Sequence, residues 1–80
     1  MTDHERQRRN NELAAYASVL AHLSEDLKSR QECHARISQR PDARDWSRFL
    51  VRMGFEITAL HRAIAAVEAL IVERSIAKDE

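Results

Sequence analysis

The sequence predicts an all-α protein: an antiparallel helical hairpin of two long amphipathic helices, pairing with a second copy into a dimeric four-helix bundle. Three observations carry this expectation. The 80 residues include one glycine and one proline, which leaves little room for loop and makes the chain a single domain. The proline, Pro41, falls almost at the midpoint. On either side of it, apolar residues recur with a seven-residue period.

The second half has the cleaner period. Leu50, Ile57, Ile64 and Ile71 form one heptad column, a. Trp46, Met53, Leu60 and Val67, each four residues earlier, form the d column. Phe49, Ala63 and Leu70 widen the seam at g, with Glu56 as the exception. A face this broad needs more than one neighbouring helix, which favours a bundle over a two-stranded zipper. Gly54 lies at e and costs about 1 kcal/mol against alanine. The period keeps its phase across it, so the helix is not broken there. Close approach of another backbone, or a hinge, would account for the glycine.

The first half carries a less pure seam. Leu13, Leu20, Leu27 and His34 share one column, and Tyr16, Leu23, Arg30 and Ile37 the other. Ala14, Ala17 and Val19 are expected to widen it. Residues 1–11 are charged and lack a core pattern, so they form either a frayed segment or the first helical turns. Thr2 with Glu5 makes a possible capping box, and Asn10 or Asn11 a later cap. The expected division is therefore helix over 12–39, a corner at 40–42 and helix over 43–77, with the last residues frayed. Pro41 disfavours helical geometry at Arg40, and Asp42 is placed to cap the second helix.

Charge weighs against one function class without excluding it. Thirteen basic residues balance 13 acidic ones, against the positive excess of a generic nucleic-acid binder. Eleven of the basic residues are arginine, whose planar fork suits carboxylates and phosphates. A GC-rich bacterial genome would give the same bias. Cys33 is the sole cysteine, so no internal disulfide forms. No secretory leader is recognisable and no apolar run spans a bilayer, so a soluble, cytoplasmic, reducing setting is expected, with no membrane partner.

Arginine recurs at every fourth position from Arg36 through Arg40, Arg44 and Arg48 to Arg52. In the second helix's frame, Arg44, Arg48, Arg52 and Arg62 take b, f, c and f, all outward. Val51 at b and Phe55 at f lie on the same side. A solvated face explains arginines alone. A phenylalanine flanked by arginines has the composition of an interface. Arg44, Arg48, Val51, Arg52, Phe55 and Arg62 are thus the candidate partner-binding residues, facing either a second subunit or another protein with an acidic surface.

Catalytic and metal chemistry find little footing. No Glu-x-x-His pair accompanies His22, His34 and His61, so no metal site is expected. Cys33 is expected to be a half-buried structural thiol. One glycine excludes phosphate-cradling loops, so no cofactor is expected. The expected function is non-enzymatic: a homodimeric protein-binding module, a regulator or inhibitor of the kind phages and plasmids carry, sequestering a host or partner protein. A secretion-type chaperone or assembly subunit belongs to the same class. The alternative is a nucleic-acid-binding regulator using the N-terminal arginines and the outer Arg series.

Overall fold

The computed structural model describes residues 2–76. Its elements are α1 (Asp3–Ser38), one turn of 3-10 helix (Ala43–Trp46) and α2 (Ser47–Ile76). The two helices run antiparallel and pack along their length, so the chain is an all-α hairpin. It is a rod with extents of 61 × 15 × 13 Å and a radius of gyration of 18.2 Å. A compact domain of this length would have a radius of about 12 Å.

Helix α1 starts at Asp3, ten residues before the first expected core position, Leu13. Thr2 is its N-cap, in extended geometry, and its Oγ1 accepts from the Glu5 backbone N–H at 3.1 Å. Asp3 and Glu5 place negative charge at the positive end of the helix dipole. Polar pairs one turn apart support these early turns: Arg6 with Asp3 at 3.4 Å, and Gln7 donating to Asn11 at 3.1 Å. Of the two expectations for the first eleven residues, the structure shows the helical turns, which begin at Asp3 behind the Thr2 cap. Local capping, which apolar periodicity does not register, sets this boundary.

The corner is built around Pro41. Arg40 N–H still reaches the Ile37 carbonyl at 3.1 Å, and then Pro41 has no N–H to offer. Ala43 N–H returns to the Arg40 carbonyl at 3.1 Å, and Asp45 N–H to that of Asp42 at 2.9 Å, which closes the 3-10 turn. Asp42 precedes this turn, but its side chain makes no cap bond. Its carboxylate takes a two-pronged grip from Arg40 instead, Nε to Oδ1 at 2.8 Å and Nη2 to Oδ2 at 3.1 Å. The expected capping role is corrected accordingly: the guanidinium fork outcompetes the backbone amides for one carboxylate.

The seam columns are the half-buried residues. Leu13, Tyr16, Leu20, Leu23 and Leu27 on α1, and Leu50, Ile57, Leu60, Ile64, Val67 and Ile71 on α2, are all of intermediate burial. Among the described residues only Met53 is fully buried, at 6% exposure. Trp46 departs from its column. It belongs to the 3-10 turn, whose three residues per turn break the α-helical phase, and it is exposed. Its ring meets Phe49 edge-on at 5.8 Å and lies 5.5 Å from the Arg40 guanidinium carbon. Ala14, Ala17, Val19 and Leu70 are exposed too and do not widen the seam. Two helices touch along a narrow strip, and these residues lie at or beyond its edge, partly open to water.

Candidate functional site: the outer face of α2

Three sets of polar contacts hold the hairpin in register and so fix what α2 presents outward. Arg30 bridges to Glu56 across the helices at 3.1 Å, and Arg74 to Glu12 at 3.0 Å. Glu12 also accepts from the Tyr16 hydroxyl at 2.7 Å, which is the main reason the Tyr16 pKa is raised. Gln31 and His61 side chains approach to 3.4 Å. The seam exceptions Arg30 and Glu56 thus meet each other.

With the seam turned toward α1, the opposite side of α2 is open. Ser47, Arg48, Val51, Arg52 and Phe55 line a shallow concavity of about 360 Å³ whose walls are mostly carbon. Phe55 is 72% and Val51 60% exposed. Isolated surface apolar residues need no explanation, but these two are one turn apart and share a groove. Arg48, Arg52 and Arg62 are exposed on the same half of the helix, and Arg44 is exposed in the 3-10 turn before it. None of the four makes an ion pair among the described residues, whereas Arg6, Arg30, Arg40 and Arg74 do. The structure thus brings Arg48, Val51, Arg52 and Phe55 together. It places Arg44 beyond the groove's corner end, and Arg62 two turns past Phe55.

Two apolar residues escaped the reading of the sequence. Val72 and Ile76 are 55% and 72% exposed near the far end of α2. Val72 falls in the b column with Val51, and Ile76 in the f column with Phe55. Following those two columns to the end of the helix would have found them.

Other chemistry is sparse. Among the described residues no group of three or more His, Cys, Asp or Glu stands together in a way that could hold a metal ion. Cys33 is a free, half-buried thiol. His34 is half-buried, with Nδ1 3.4 Å from the Ser38 hydroxyl, and His22 donates to the Ser18 carbonyl at 2.8 Å. Among the described residues no helix is long and apolar enough to cross a membrane. Comparison with protein-family models, curated proteins and solved structures gives no match.

Proposed function

We propose that the chain is a small, non-enzymatic protein-binding module, a regulator or inhibitor that captures its target on the outer face of α2. The observation that carries this reading is the groove of Val51 and Phe55 between Arg48 and Arg52. A large exposed aromatic in an apolar concavity supplies an anchor, and arginines without carboxylates at hand supply a charged rim. The fitting target is a helix with an apolar stripe and flanking carboxylates, laid in the groove. A reducing, cytoplasmic setting fits the single thiol, and the arginine-rich composition fits a GC-rich bacterial or phage genome.

Phe55→Ala combined with Arg52→Ser tests the reading. Both side chains are exposed, so circular dichroism should stay helical while capture of the target from the source cell is lost. Undiminished capture by the double variant would overturn it.

A nucleic-acid role has one observation in its favour, the four arginines free of described ion pairs. It requires binding that falls steeply with salt. No binding to duplex or single-stranded DNA or RNA at 50 mM salt would remove it.

A further inference from the structure

The exposed apolar residues of α2 form a second seam. Val51, Phe55, Val72 and Ile76 are the four most exposed large hydrophobics among the described residues. They belong to two columns that alternate steps of four and three residues along the back of the helix. Between the pairs, the same columns pass through Thr58, Ala65 and Ala69, all exposed, with Arg62 as the one charge. Alternating four- and three-residue spacing is the pattern of a helix-packing seam, and small residues at its centre let two helices approach closely. It spans about 38 Å, far more than the groove at its end.

We propose that this seam is filled by the α2 helix of a second copy of the chain, running antiparallel. The proposal rests on the outer face of α2 being a protein-docking surface, and it names the occupant.

Reversal of the column maps it onto itself. Val51 faces Ile76 of the second copy, Phe55 faces Val72, Thr58 faces Ala69, and Arg62 faces Ala65. Large side chains then meet at both ends and small ones in the middle. The Arg62 stem lies over the opposing alanine with its guanidinium in water.

Charge selects the antiparallel direction. On one flank Arg52 comes opposite Glu73 of the second copy, and by the two-fold Glu73 opposite Arg52. On the other flank His61 comes opposite Glu68. All four are exposed, and neither Arg52 nor Glu73 has an ion-pair partner among the described residues. A parallel pair would instead set Arg62 against Arg62 and Glu68 against Glu73, like charges in both places.

Exposed surface points the same way. A compact monomer of 9.3 kDa would expose about 5,000 Å², whereas this chain exposes 6331 Å². The excess, about 1,300 Å², is larger than the roughly 800 Å² that one partner buries in a standard interface. The resulting dimer is a four-helix layer with the two α2 helices inside and an α1 on each outer side. Self-pairing and capture of another protein's helix then compete for one surface.

The test is charge reversal with mixing, read by sedimentation equilibrium. The wild-type chain should be dimeric at tens of micromolar. Arg52→Glu and Glu73→Arg should each weaken self-association at least tenfold, since each sets like charges together twice. An equimolar mixture of the two variants should recover tight pairing, because both contacts are then opposite in sign. A chain carrying Cys33→Ser, Thr58→Cys and Ala69→Cys should form intermolecular disulfides on mild oxidation, which reports the register independently. A wild-type monomer, or a mixture no tighter than either variant alone, would overturn the proposal. If such a monomer still loses its captured target on Phe55→Ala with Arg52→Ser, only the second-copy assignment falls. If mixing restores the dimer but no target is captured, the assignment stands and the regulator reading falls.

Discussion

Arg30 on α1 and Glu56 on α2 meet at 3.1 Å, the same guanidinium also holding Asp26 at 3.0 Å. Arg30 is one helix's polar break in its apolar seam, and Glu56 is the other's. Their meeting, with the Arg74–Glu12 pair and the Gln31–His61 approach, fixes the sliding register of two helices whose apolar contacts are non-directional.

Partial exposure makes this pair weak in energy. Its side chains are 34% and 42% exposed, which leaves the interaction at about 0.2–1 kcal/mol. A double-mutant cycle with Arg30→Ala and Glu56→Ala, measured by urea denaturation, should give a coupling in that range that shrinks at 1 M salt. Arg30→Leu with Glu56→Leu should raise stability by extending the apolar strip, since the pair contributes register more than energy. A coupling above about 2 kcal/mol would contradict this account.

The corner supplies a pH dependence. The Arg40 side-chain hydrogen bonds hold the Asp42 carboxyl well below its ordinary value of 3.8, at about 2. The sign follows from linkage. A carboxyl with a depressed folded pKa contributes stability that is fully present above the unfolded pKa and is lost as pH falls through the folded one. The corner's contribution should therefore fade between about pH 4 and pH 2. Thermal melts over pH 5 to 2 should show wild type losing more midpoint than Asp42→Asn. Trp46 fluorescence, reporting from 3.4 Å away, should change over the same interval. Parallel melts for the two chains would sink this account.

Much of the hairpin is legible in the sequence because a seam repeats. Each of Leu13, Leu20 and Leu27 is one of several votes for the same face. Single-residue decisions were harder to read. Asp42 could cap a helix or bind an arginine, and only the position of Arg40 decides between them. Trp46 kept its place in the heptad count while the backbone changed pitch beneath it. The start of α1 depends on one threonine hydroxyl. At the candidate site, Phe55 and Val51 stood out by their proximity to arginines. Val72 and Ile76 did not, because their relation to that pair appears only when the back of the helix is followed for its full length.

The only fully buried side chain among the described residues should be the most sensitive. Met53 is 6% exposed, and truncating a buried methionine costs about 2–5 kcal/mol. Met53→Ala should cost at least 2 kcal/mol at the low end of that range in a denaturation experiment. Met53→Leu should stay under about 1.5 kcal/mol because volume is nearly conserved. Phe55→Ala, on the other face, should leave the helical signal of the hairpin unchanged. An equal loss of helicity for Met53→Ala and Phe55→Ala would mean that the two faces are equally structural.

Gly54 separates what the hairpin needs from what the outer face needs. A methyl group built there meets nothing within 4 Å, so α1 does not require the glycine and no close backbone approach within the hairpin explains it. The helix is continuous through the position, and its φ is not positive, so alanine is free of backbone strain. Gly54→Ala should therefore stabilise the hairpin by about 0.5–1 kcal/mol, raising the thermal midpoint by about 4 °C in a chain of this size. Gly54 also flanks Phe55 on the outer seam, where a second α2 would lie close. The same substitution should then weaken self-association, measured as a larger dissociation constant by sedimentation, even as the helix itself becomes more stable. A rise in both stability and association would show that nothing packs against this stretch of α2, and a fall in both would show a strain that the geometry at Gly54 does not contain.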